Sequence, residues 1–175
     1  MPFNTTSSVI GADMNNTSTT ALFALGTKIS GTNNTEWTYC QSTAAFITGE
    51  LVAIRSNGTA VSASTLILTS GAAIGGGAGA GGIEVGWAQG NWAALDFGWM
   101  CKRGDAVTVL MSGTAVPNTQ LYAQYGQAIG CLGTTAASGT IMGVQLNASS
   151  STSSLVLTTA VITWPRLCPG ANPVG

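Results

Sequence analysis

Glu50-Leu51-Val52-Ala53-Ile54-Arg55-Ser56-Asn57-Gly58-Thr59-Ala60-Val61 is the stretch whose reading decides the fold. Two apolar, β-branched runs flank an Asn-Gly pair. Asn-Gly is the strongest short-range hairpin signal, because a tight two-residue turn needs φ > 0 at both central positions. The segment therefore reads as strand, turn, strand.

Working outward, the same texture continues in both directions. Upstream, Glu36-Trp37-Thr38-Tyr39-Cys40 is aromatic and β-branched. Downstream, Thr65–Thr69 fits a strand or a short helix, and Ile83–Ala88, Phe97–Lys102, Ala106–Met111, Thr119–Ala123, Ala128–Leu132, Thr140–Leu146 and Leu155–Ile162 all read as strands. Arg103-Gly104-Asp105 reads as a turn between two of them, and Tyr125-Gly126-Gln127 as a hairpin. Many short strands with Gly-rich turns and no amphipathic helical period argue an all-β fold. We expect a single compact sandwich or barrel of short antiparallel strands.

The chain divides into three parts on this reading. Residues 1–24 are Asn/Thr/Ser-rich without strand or helix period and read as an extended N-terminal arm. Residues 25–165 form the β-rich body, and 166–175 are a Pro-rich C-terminal tail in which regular structure ends. The apolar residues of the arm, Phe3, Val9 and Ile10, have no obvious place in a body that begins near Leu25. They are the candidate contacts to a partner.

Composition narrows the function. Of 175 residues, 5 are Lys or Arg, 6 are Asp or Glu and none is His, so charged residues make up 6% against about 25% in an ordinary domain. Yet 45% of the chain is apolar, which excludes the high-charge, low-hydropathy signature of disorder. Without His, imidazole triads, His-ligated metal sites and imidazole pH switches are excluded. Five cations scattered along the chain make no phosphate-neutralising stripe, so no nucleic-acid partner is expected. No run of about 20 apolar residues exists, so no membrane partner is expected either. Met1–Thr20 lacks the basic and apolar regions of a secretion signal.

Site chemistry is sparse. The glycine run Gly75–Gly82 is followed by Ile83-Glu84 rather than Gly-Lys-Ser/Thr, so it is a connector and not a phosphate loop. Cys40, Cys101, Cys131 and Cys168 lie 61, 30 and 37 residues apart, which fits no zinc motif and reads as reduced, buried thiols. Glu84 and Asp96 flank Trp87 and Trp92, but read as edge or turn residues. Trp87 and Trp99 fall inside strand-like runs, where core packing is usual. No catalytic, cofactor-binding or metal-binding residue is assigned, and the chain reads as a non-enzyme.

The order of motifs carries more than any one of them. Leu25-Gly26-Thr27, Glu36-Trp37-Thr38-Tyr39, Ile47–Ile54 with Asn57–Ala60, Val85–Ala88, Phe97–Met100 with Arg103-Gly104, Leu121-Tyr122 and Ile141–Val144 together resemble the capsid decoration, or cement, proteins of tailed phages. That resemblance covers about residues 25–165 and transfers no catalytic residue. It implies a β-rich homotrimer on the capsid exterior, assembled in the host cytoplasm, with the major capsid protein as partner. The alternative is a surface-binding module such as a fibre head or lectin-like domain.

Overall fold

A computed structural model of the chain describes residues 8–9, 12–63, 83–123, 129–134 and 139–169. They form twelve strands. These are β1 (Ser8–Val9), β2 (Ala12–Asp13), β3 (Lys28–Ser30), β4 (Glu36–Ser42), β5 (Leu51–Ile54), β6 (Thr59–Ser62), β7 (Ile83–Trp87), β8 (Phe97–Ala115), β9 (Leu121–Ala123), β10 (Leu132–Gly133), β11 (Gly139–Leu146) and β12 (Ser150–Pro169). The fold is all-β, as the hydropathy pattern predicts, and it is a barrel. Strand β8 pairs with β4 and β7, β7 with β5, β5 with β6, and β6 with β4, which closes a five-strand ring. Strands β1 and β2 form a separate two-stranded sheet, and the other strands bond outside the ring, with β12 running along the second half of β8 and β11 along β12.

Two features depart from the expectation of short antiparallel strands. The pairs β4–β6 and β8–β10 are parallel. Strands β8 and β12 are also 19 and 20 residues long. Arg103-Gly104-Asp105 is not a turn but the middle of β8. The strand continues because each half has its own partner, β4 along Phe97–Arg103 and β12 along Gly104–Ala115. Tertiary pairing here overrides a local glycine signal. Gly104 is needed for another reason, since a Cβ there would come within 2.7 Å of Thr35 Cγ2.

The C-terminal boundary also moves. Regular structure does not stop at Pro165 but runs through Arg166 to Pro169. Pro165 is tolerated because it falls in an irregular stretch. On the β8 side the last pair is Ile162 with Gly104, and pairing resumes on β7 at Arg166 with Glu84. On the β11 side a bulge separates Met142 from Val144. A proline in such a gap forfeits no ladder hydrogen bond.

The Asn57-Gly58 hairpin is present, with β5 antiparallel to β6. Its turn differs from the two-residue type expected. Gly58 N–H donates to Arg55 O at 2.9 Å and Arg55 N–H to Thr59 O at 2.9 Å. Only Gly58 has positive φ, at 79°, while Asn57 accepts from Thr59 N–H and Oγ1. This is a longer loop closed by a left-handed glycine.

Burial follows the alternation of the strands. Cys40, Val52, Ile54, Ala60, Ala88 and Met100, one or two from each barrel strand or its end, cluster with Phe46 and Trp92 in the barrel interior. A larger cluster lies outside that lane. It joins Trp37, Tyr39, Leu51, Val85, Trp87 and Trp99 to Val109, Met111, Leu121, Leu132, Ile141 and Ile162 of the outer strands.

The body begins earlier than Leu25. Met14 is buried, and Phe23 sits 5.3 Å from Tyr39 and 5.1 Å from Trp99, centroid to centroid. Ser18 and Phe97 exchange both backbone hydrogen bonds at 2.8 Å. Leu22 N–H donates to the Tyr39 hydroxyl at 2.9 Å. The stretch from Met14 to Phe23 is therefore a strap laid over the aromatic face of β4 and β8. It has no internal period because its contacts are with that face. Phe3, Ile10, Thr65–Thr69, the Gly75–Gly82 run and Tyr125-Gly126-Gln127 lie outside the described residues, and of Val9 only the backbone pairing with Ala12 is described.

Candidate functional site: the charged end of the barrel

The barrel has two chemically different ends. One holds the Phe46 and Trp92 rings, 6.1 Å apart, near the start of β5 and the end of β6. Here Glu50 is buried at 3% exposure, with no cation paired to it among the described residues. Its carboxylate accepts from Ile47 N–H at 3.1 Å, from Gly130 N–H at 3.4 Å and from the Ser62 hydroxyl. Burial pushes the Glu50 carboxyl above its ordinary range, against the pull of those donors.

The other end is ionic. Glu36 on β4, Glu84 on β7 and Lys102 on β8 converge there. Their lanes explain the convergence. In β7, Glu84 shares its face with Gly86, and in β4, Glu36 shares its face with Thr38 and the interior residue Cys40. Lys102 is the extra residue of a bulge, because Trp37 stands opposite Cys101 whereas Glu36 stands opposite Arg103. The Lys102 side chain is only 12% exposed. Its ammonium contacts the Glu84 carboxylate and lies 3.7 Å from Glu36 Oε1. Lys28 Nζ reaches the same Glu84 Oε1 from β3 at 3.3 Å.

A second layer holds Glu36. Arg103 Nε lies 3.3 Å from Glu36 Oε2, close enough to pair but not aligned as a hydrogen bond. The Arg103 guanidinium in turn stacks over the Trp164 ring at 4.6 Å. Trp164 is 66% exposed, whereas Trp37, Trp87, Trp92 and Trp99 are buried. Burial pushes Lys102 down to about 8, with the neighbouring Lys28 adding to the effect and Glu36 opposing it. Roughly a tenth of the side chain is then free amine at pH 7.

This arrangement corrects the expectation of scattered cations. Lys28 stands with Lys102 and Arg103, and only the pairing of distant strands brings it there. Glu84 is a network member rather than an edge guard. Asp96 is a turn residue, as expected: it accepts from Ala93 N–H at 2.9 Å and from Thr17 Oγ1 at 2.8 Å. Sequence reasoning missed Glu36 and Lys102 as partners of Glu84, and missed Glu50 as the buried carboxylate of the opposite end. The one available signal was the adjacent cation pair Lys102-Arg103 placed directly after the run Trp99–Cys101.

The three described cysteine side chains offer no reactive site. Cys40, Cys101 and Cys131 are free and buried, and desolvation pushes their thiols up to about 12, 12 and 11. Among the described residues no group of three or more Cys, Asp or Glu could hold a metal ion. No helix among them is long and apolar enough to cross a membrane. A small cavity of about 90 Å³ opens between the strap and the barrel, lined by Asp13, Leu22, Phe23, Tyr39, Phe97 and Trp99 among others. No protein-family model and no curated protein matches this chain.

Proposed function

We propose that this chain is a structural virion protein that binds the outer surface of an assembled phage capsid and stabilises it, acting as a homotrimer without catalysis. One observation carries the reading. Among the described residues, the Lys28, Glu36, Glu84, Lys102 and Arg103 charges are spent on one another, while Leu22, Leu95, Val116, Met142, Leu157 and Trp164 stand half or more exposed. A surface that is neutral and dotted with large apolar residues loses little desolvation energy when covered. The resemblance in motif order supports the same reading. Binding the finished shell in preference to its disassembled parts stabilises that shell by mass action.

Purified protein mixed with undecorated capsids should pellet with them at a fixed ratio, and an electron-microscopy map should show added density on the exterior. Capsids that sediment without the protein would refute the proposal. A lectin-like surface module is the second reading, favoured by the exposed Trp164 ring with Arg103 beside it. Saccharide binding that is lost in Trp164→Ala, without capsid binding, would select it.

A further inference from the structure

The charged end of the barrel has the parts of a self-condensing amine and acid. We propose that Lys102 and Glu84 join in an intramolecular isopeptide bond, with Glu36 as the proton shuttle. The donor, acceptor and shuttle sit on three different barrel strands, so only the folded chain assembles them.

The step balances without any co-reactant. Glu36, whose Oε1 lies 3.7 Å from Nζ and closes to hydrogen-bond distance for the step, takes one proton from the Lys102 ammonium and leaves Nζ with a lone pair beside Glu84. Nζ attacks Glu84 Cδ, and the C–N bond forms as the carbonyl electrons move onto Oε1. Lys28, 3.3 Å from that oxygen, stabilises the developing negative charge. Glu36 gives that proton to Oε2, then relays the second proton from the now positively charged nitrogen to the same oxygen, and the C–Oε2 bond breaks with water as the leaving group while the Oε1 carbonyl re-forms. An ammonium and a carboxylate become an amide and one water, with charge conserved.

Three observations favour this over an ordinary surface ion pair. First, the Lys102 and Glu36 side chains are only 12% and 16% exposed. Burying the Lys102 ammonium carries a desolvation cost that a neutral amide avoids, while the Glu84 carboxyl, 41% exposed, leaves a way out for the released water. Second, two carboxylates share one ammonium, which separates the roles of electrophile and base. Third, the base is itself held in place, since Arg103 braces Glu36 and Trp164 braces Arg103. The lowered basicity of Lys102 is consistent with a nucleophilic amine. Lys28 also touches Glu84 but is 56% exposed and has no second carboxylate, so it is not the nucleophile.

The test is the intact mass of the full-length protein, purified folded, held at pH 8 for a day and then denatured. The expected mass is that of the sequence less one water, with tandem fragmentation placing a branched peptide at Lys102 and Glu84. Lys102→Arg and Glu36→Gln should each show the full sequence mass. In Glu84→Gln the departing group becomes ammonia, so the deficit should change from one water to one ammonia. Wild-type protein at its full sequence mass would overturn the proposal, whatever the variants do. So would a deficit located elsewhere, a Lys28–Glu84 branch, or a deficit that persists in Lys102→Arg.

Discussion

Replacing Glu50 tests whether a carboxylate without a cation can hold two distant segments together. Its oxygens accept from Ile47 N–H, from Gly130 N–H at 80 residues' separation, and from Ser62. Glu50→Ala removes all three acceptors. Gly130 N–H retains the Ser62 oxygen at 3.2 Å, but Ile47 N–H is left without its acceptor. Hydrogen bonds to charged groups contribute about 1.5–3 kcal/mol each, and an orphaned donor costs about 1–3 kcal/mol. Relief of the buried charge offsets part of this, so the net loss should be about 2–4 kcal/mol. At about 2–4 °C per kcal/mol for a chain of this size, Tm should fall by roughly 5–15 °C. Glu50→Gln isolates the charge. Because burial raises the folded-state pKa, the folded protein holds this proton more tightly than the unfolded chain. The resulting stabilisation is complete below the unfolded value of 4.5 and is lost as pH rises through the raised folded value. Urea melts at several pH values from 4 to 8 should therefore show the wild type losing ground to Glu50→Gln as pH rises. Parallel curves, or a wild type that gains on the variant, would refute the argument.

Trp87→Ala empties a fully buried site in the larger core cluster and should cost about 3–5 kcal/mol by urea melt. Trp164→Ala removes an exposed ring and should change stability by no more than about 1 kcal/mol by the same measure. Gly58→Ala forces a Cβ into φ 79° and to within 2.5 Å of Leu25 Cβ. It should lower Tm by a few degrees, whereas Asn57→Ala, at ordinary φ, should lower it less. Capsid decoration should survive 1 M sodium chloride and be released by urea, read by pelleting, because screening weakens exposed ion pairs but not apolar contacts.

Legibility in the sequence followed the range of the interaction. The hairpin at Asn57-Gly58 and most strands were readable because alternation and turn chemistry are local. The failures share one cause. Arg103-Gly104-Asp105 carries a turn signal, yet β4 and β12 hold it extended from two sides. The proline-containing tail carries a stop signal, yet Arg166 pairs across to Glu84. The strap from Met14 to Phe23 has no period because it is fitted to Tyr39 and Trp99 rather than to itself. The charged end was illegible for the same reason. Lys28, Glu36, Glu84 and Lys102 are unremarkable one at a time, and 74 residues separate the first from the last. Only barrel closure makes them neighbours.

That closure also bears on what the low charge means for recognition. Eleven charges on 175 residues could have been eleven exposed handles for a partner. Instead five are tied into the barrel end, and Glu50 and Asp96 are buried in turns. Among the described side chains only Asp13, Arg55 and Asp105 stand outside these groups, and exposed pairs contribute only about 0–1 kcal/mol each. Affinity for any partner must then come from shape, apolar area and neutral hydrogen bonds, interactions that are short-ranged and do not steer encounter from a distance. Such a surface suits a partner offering many identical, closely spaced sites. A high local density of sites raises the encounter rate without electrostatic steering, and shared contacts between neighbouring copies supply avidity. A repeating shell meets both conditions, which is why charge placement and the capsid-binding proposal point the same way.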